Sequence, residues 1–134
     1  MPAAPRKPST RSRFTRPVLE AIRTGSILGI RAGRAPHRVI GIWAVVVENR
    51  VFVRSWSLKP RSWWRTFLVD PRGRITLGTR QLSVRAVQTR SERLREAVDR
   101  AYLEKYKTPG SLRFARDLGR AKSRRTTTEL VPTR

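Results

Sequence analysis

Apolar side chains recur along the chain with two different periods, and the change of period marks its elements. Pro17 stands at a helix-starting position after Thr15 and Arg16, and Val18, Leu19, Ala21 and Ile22 follow with helical spacing up to Gly25. Proline suits a first helical turn, where its missing N–H has no intrahelical partner to lose, so a short helix is predicted there. From residue 26 the period becomes two. Segments 26–32 (SILGIRA), 37–47 (HRVIGIWAVVV) and 51–56 (VFVRSW) are rich in β-branched and aromatic residues, which pack well on a pleated sheet. Gly33 to Pro36 separates the first two segments and Glu48-Asn49 the second two. Asparagine tolerates positive φ, so a two-residue hairpin is predicted, and the three strands form an antiparallel meander.

The second of these strands is apolar on both alternating sets: Ile40, Ile42, Ala44 and Val46 on one, Val39, Trp43, Val45 and Val47 on the other. A strand apolar on both faces is covered on both, as when a sheet curls into a barrel with helices packed outside. Beyond Lys59-Pro60, segment 61–70 (RSWWRTFLVD) predicts a short helix with Trp64, Phe67 and Leu68 on one face. Segments 74–77 and 82–88 alternate as two further strands joined by 78–81. Thr89 and Glu92 form a capping box before a helix with Leu94, Ala97, Val98, Ala101, Tyr102 and Tyr106 inward. Thr108-Pro109-Gly110 ends that helix, Ser111 caps another with Leu112, Ala115 and Leu118 inward, and 126–131 adds a sixth strand. The expected class is α+β, a six-stranded antiparallel barrel with flanking helices.

A chain of 134 residues has room for one domain. Residues 1–16, rich in Pro, Ser, Thr and Arg without an apolar period, are expected to be a disordered basic tail, and residues 17–131 the single domain. With no cysteine there is no disulfide framework, thiolate zinc site or cysteine nucleophile. No apolar run approaches the roughly 18 residues of a spanning helix, so a cytoplasmic protein without an integral membrane segment is expected. The charge changes the picture more. Lys and Arg number 31 against 9 Asp and Glu, a formal net charge of +22. Residues 23–90 alone hold 14 basic side chains against Glu48 and Asp70, whereas 91–119 hold seven basic and five acidic ones. The asymmetry therefore belongs to the strand-rich half, which points to an anionic partner for that half.

Candidate side-chain chemistry is sparse. One histidine, His37, without clustered carboxylates makes neither a common zinc site nor a Ser-His-Asp triad, so no metal is expected. Five of the nine acids lie in 91–119 among basic partners, where pairs such as Glu96 and Arg100 support a helix surface. No catalytic residue can be named. An enzyme built this way leaves the hard step to a cofactor, which the protein orients.

The block from Arg31 to Gly78 carries the most specific order: a Gly-Arg turn, a strand with early basic residues and a Trp-containing apolar run, and a hairpin. A strand ending Val53-Arg54-Ser55 and an aromatic helix ending Leu68-Val69-Asp70-Pro71 then come before a further strand. This order resembles the split β-barrel of flavin-binding proteins related to pyridoxamine-phosphate oxidases, more closely the small deazaflavin-dependent nitroreductases, and within them an uncharacterised bacterial branch. The resemblance implies a deazaflavin coenzyme or FMN, an oxidoreductase moving hydride to a small acceptor, and a homodimer with the cofactor at the interface. It places cofactor contacts at Arg38, at Arg54 with Ser55, and at Trp63, Trp64 and Arg65. Independently of it, guanidinium groups bind phosphate through two hydrogen bonds and flat aromatic rings stack on an isoalloxazine. The group's Gly-Arg-Lys-Ser-Gly turn is reduced here to Gly33-Arg34-Ala35-Pro36, and its Gly-rich stretch after the third strand is replaced by Trp56-Ser57-Leu58-Lys59-Pro60.

The competing reading is a basic nucleic-acid-binding module without catalytic activity, in which strand arginines track phosphates and Phe52, Trp56 or a helix tryptophan stacks on bases. No RNA-binding fingerprint accompanies it, and the best-formed helix is nearly charge-balanced.

Overall fold

The computed structural model describes residues 13–34 and 38–133. Helix α1 (Arg16–Thr24) leads to β1 (Leu28–Ala32), β2 (Ile40–Ile42), β3 (Ala44–Val47) and β4 (Arg50–Val53). Then come α2 (Trp63–Val69), β5 (Arg72–Leu77), β6 (Arg80–Gln88), α3 (Glu92–Lys105), α4 (Pro109–Asp117), α5 (Ala121–Arg124) and β7 (Thr128–Pro132). The sheet order is β2-β1-β5-β6-β7-β4-β3, with antiparallel pairing throughout. The two outermost strands, β2 and β3, are consecutive in the chain and separated only by Trp43. The ladder therefore returns to its starting point, and the sheet is a nearly closed antiparallel barrel in an α+β fold.

The expected class holds with seven strands instead of six. The extra strand arises where the long second segment breaks at Trp43. Ile42 pairs with Leu28 of β1, whereas Ala44 pairs with Val53 of β4, so one run of chain serves two different neighbours. Between them the Trp43 carbonyl accepts the Tyr102 hydroxyl at 2.7 Å, and its indole stacks on Tyr106 with centroids 3.9 Å apart. Tertiary contacts thus hold the bend that lets the barrel close.

Local chemistry explains most boundaries. Thr15 caps α1, its Oγ1 accepting from the Val18 amide at 3.4 Å. Glu48 and Asn49 both have positive φ, 54° and 61°, the conformation a tight two-residue hairpin requires. The β5–β6 turn shrinks to Gly78-Thr79, because Leu77 and Arg80 already pair. Two expected caps are corrected. Ser91, not Thr89, caps α3, accepting from the Leu94 amide at 3.3 Å; Thr89 is buried and donates its amide to Thr127 O, prolonging the β6–β7 pairing. Thr108, not Ser111, precedes α4, which begins at Pro109. Helix α5 carried no apolar pattern and was not expected.

Two apolar layers share the barrel wall. The inner one joins Leu28, Ile30, Ile42, Ala44, Val51, Val53, Ile75, Val84 and Leu130 to Val18, Leu19 and Ile22 of α1 and Trp63, Trp64 and Phe67 of α2. The outer one packs Val45 and Phe52 beneath Leu94, Val98, Tyr102 and Tyr106 of α3 and Ala115 and Leu118 of α4. Ala44 and Val45, neighbours in sequence, enter different layers, so the two-faced apolar strand is covered on both sides as its pattern required. Val39 and Ile40, at its start, are exposed. Phe14, ahead of the expected domain start at residue 17, is buried in the inner layer; residues 1–12 of the expected tail lie outside the described residues, as does His37. Among the described residues no helix is long and apolar enough to cross a membrane.

Candidate functional site

Helix α2 positions the aromatic pair. Ser62 caps it, accepting from the Arg65 amide at 3.2 Å, and the following turn places Trp63 and Thr66, three residues apart, on one side. Adjacent helical residues diverge by about 100°, so Trp64 points elsewhere: its Nε1 donates to Gln88 Oε1 at 2.9 Å, fixing α2 to β6. Trp63 meets Phe67 edge-on at 6.0 Å and borders a cleft lined by Ile30, Ala32, Arg38, Ile40, Arg61 and Thr66. The cleft has a volume of about 420 Å³. Its two guanidinium groups are exposed, and among the described residues neither Arg38 nor Arg61 is ion-paired. An aliphatic wall, one indole and two free cations thus share a single concavity.

The six expected contact residues divide into three groups. Arg38 and Trp63 come together in the cleft. Trp64 and Arg65 adjoin it from the helix: Arg65 lies over the Trp64 ring at 5.6 Å and donates Nε to Leu58 O at 3.0 Å. Arg54 and Ser55 are elsewhere, at the end of β4 beneath α3. Arg61 joins the cleft without having been expected; its only sequence signal was its place just ahead of the aromatic helix.

The surroundings of Arg54 show what holds it. Its side chain is 0% exposed. Nε donates to Thr127 Oγ1 at 2.8 Å, Nη1 to Asp99 Oδ1 at 2.5 Å and to Leu118 O at 2.9 Å, and Nη2 to Arg95 O at 2.9 Å. Asp99 also accepts from Arg124 Nε at 3.0 Å, and Arg124 reaches Glu92. Burial lowers the Arg54 pKa from its ordinary value, opposed by the hydrogen bond and charge of Asp99. Ser55 is equally committed: its amide donates to Thr126 Oγ1 at 2.8 Å and its hydroxyl to Ser57 O at 2.7 Å. In this arrangement Arg54 ties the end of β4 to α3, to the end of α4 and to the residue just before β7. Phe52 is fully buried under α3 and Trp56 is half-buried against Trp43, so neither offers the open ring face that base stacking uses.

The pattern of residues also left Lys105 unremarked. At the last turn of α3 its Nζ donates to Ile22 O at 2.7 Å and Ala44 O at 2.6 Å, and burial lowers its pKa to about 8. The Tyr106 hydroxyl, donating to Ser26 O at 2.6 Å, is pushed up to about 12 by burial.

Residues 19–130 match the family described as an uncharacterized protein conserved in bacteria, DUF2255. The chain belongs to that family. Among solved structures this DUF2255 chain is similar to the crystal structure of conserved hypothetical protein Rv2991 from Mycobacterium tuberculosis. The TM-score is 0.57 at 12% identity, over 94% of this chain and 83% of that one. At that identity the likeness shows the barrel fold and nothing finer. No curated protein matches the chain.

Proposed function

We propose that the Arg38–Arg61–Trp63 cleft binds a flavin or deazaflavin coenzyme. The observation that carries this reading is the meeting of two guanidinium groups, neither ion-paired among the described residues, with an indole edge and an aliphatic wall in one cleft of about 420 Å³, within the roughly 300–1,000 Å³ of small-molecule sites. Arg38 and Arg61 suit the phosphate, because a guanidinium offers paired N–H donors in a fixed plane. Ile40, exposed at the rim, and the accessible edge of the otherwise buried Trp63 suit contact with the margin of a flat ring system. The Trp64–Gln88 bond and the Arg65–Leu58 bond keep α2 in register, so Trp63 is held and not free to swing. Such a coenzyme supplies the hydride chemistry that this chain's own side chains lack, which makes a reductase acting on a small acceptor the activity to test.

FMN and the deazaflavin coenzyme are titrated separately into the full-length protein, following coenzyme fluorescence. Saturable micromolar binding of one of them is expected. Arg38→Gln or Arg61→Gln should weaken it by about tenfold or more, the worth of a charged hydrogen bond. Lack of binding of either at high micromolar concentration refutes the reading.

A further inference from the structure

On the other side of β1 from this cleft lies a different concentration of charge. Ile30 and Ala32 face the core and the cleft, so Arg31 between them points to the outer face of the barrel. There the ladder sets Arg31 of β1 directly opposite Arg74 of β5, and Arg72 of β5 directly opposite Arg85 of β6. Like charges directly opposite on one sheet face repel and destabilise the pairing. Here two such pairs occupy three adjoining strands, with Ser83 opposite Arg74 on the same face.

Among the described residues little offsets this repulsion. Asp70 reaches Arg34 at 3.5 Å and Arg72 at 3.4 Å. Among the described residues Arg31, Arg74 and Arg85 have no carboxylate partner; Arg74 makes only a hydrogen bond to Gln81, at 3.3 Å. A groove of about 350 Å³ is lined by Arg31, Arg34, Arg72, Arg74, Ser83 and Thr133 among others, with Arg85 outside that lining. The Gly33–Arg34 turn forms one wall of it and is fixed in place: Gly33 donates to Arg72 O at 2.7 Å, and the Arg34 amide to Asp70 Oδ2 at 3.2 Å.

We propose that this groove is a binding site for a compact oligophosphate, a di- or triphosphate group either free or carried on a nucleoside. The dimensions decide for a compact ligand over a nucleic-acid strand. Three strands at about 4.8 Å and one i,i+2 step of about 6.6 Å set the backbone positions of the four cross-strand arginines within roughly 10 by 7 Å, with Arg34 at one wall. That matches a short phosphate chain, and the described residues of this face form no track along which a longer backbone could continue. The residues of this face, Gly29, Arg31, Arg72, Arg74, Thr76, Gln81, Ser83 and Arg85, include no aromatic ring to stack on a base. Bound phosphate oxygens accept from the paired guanidinium donors and from the Ser83 hydroxyl, and their charge cancels the cross-strand repulsion. The site shares no residue with the coenzyme cleft and does not depend on that reading.

Sodium tripolyphosphate is titrated calorimetrically into the full-length protein at low salt, beside ATP and a 20-nucleotide single-stranded DNA. One saturable triphosphate site is expected, weakened at least tenfold by Arg74→Gln and by Arg31→Gln but not by Arg116→Gln on α4. Equal binding of ATP assigns the site to the polyanion alone, and tighter binding of ATP assigns it to a nucleotide; both support it. Thermal melting gives a second readout. Without ligand at low salt, Arg74→Gln should raise the midpoint, since repulsion is relieved, and triphosphate should raise that of the unaltered protein alone. Absence of saturable triphosphate binding overturns the proposal. So does equal weakening by Arg116→Gln, or DNA binding that triphosphate competes with, that is tighter than triphosphate binding and that both groove substitutions abolish, since the groove would then take a strand.

Discussion

Replacing Arg54 by alanine separates two roles that the same residue could have: a phosphate contact or a strut inside the fold. Its guanidinium satisfies two backbone carbonyls, Leu118 O and Arg95 O, together with Thr127 Oγ1 and Asp99. Truncation leaves these groups facing a cavity, and each buried polar atom that loses its partner costs about 1–3 kcal/mol. Asp99 is 29% exposed and keeps Arg124, so water and that second arginine recover part of its loss. The net cost should therefore lie near the value for breaking a buried ion pair, about 3–5 kcal/mol. For a chain of this length that is a fall of more than about 10 °C in Tm. Urea unfolding of Arg54→Ala, Asp99→Ala and the double variant, read as a double-mutant cycle, should give a coupling of about 1–3 kcal/mol. A loss below about 1 kcal/mol for Arg54→Ala, accompanied by a sharp drop in coenzyme affinity, would refute the structural assignment and return Arg54 to the ligand.

Two further outcomes follow from the packing. Lys105 has its pKa lowered from 10.5 to about 8 by burial. A base whose pKa falls on folding binds fewer protons than in the unfolded chain, so stability should rise as pH climbs from about 8 to 10.5. Lys105→Met should flatten that rise in pH-dependent urea unfolding. A Cβ added at Gly73 would stand 2.7 Å from both Arg31 O and Phe67 Cε1, where α2 crosses the sheet. Gly73→Ala should therefore cost about 1–3 kcal/mol, measured by the same unfolding, and shift the tryptophan fluorescence of α2.

Much of the architecture was legible along the chain because it depends on neighbours two to four residues apart. The alternation from 37 to 47 required cover on both faces, and Ala44 and Val45 supply it. Glu48-Asn49 announced its hairpin through the conformational tolerance of its residues. Misplaced caps at Thr89 and Ser111 show the limit of that logic, since several hydroxyls near a helix start are equally competent. The β6–β7 pairing claims Thr89, whereas α4 starts at Pro109 without a side-chain cap and takes Ser111 into its first turn.

The candidate site was legible only in part. Arg38 and Trp63, which line the cleft, each stand at the edge of a recognisable element. Arg61 was missed, since nothing in its own neighbourhood tells an exposed arginine beside solvent from one beside an indole. Arg54 has the same strand setting as any surface arginine, yet its partners lie 45 and 73 residues away, at Asp99 and Thr127. The cross-strand pairs Arg31–Arg74 and Arg72–Arg85 are likewise a property of register.

By itself, then, the order of residues determined most of the elements, α5 and the split of the second strand excepted, the two-layered packing of the central strand and the half of the chain that carries the charge. These follow from side-chain periodicity and turn chemistry, which act locally. Tertiary structure alone decided that the strand breaks at Trp43 to close the barrel, which arginines are buried, and which meet at a cleft or across a ladder. A guanidinium has the same intrinsic chemistry wherever it stands, and only its neighbours in space determine whether its donors are spent on the fold or left for a ligand.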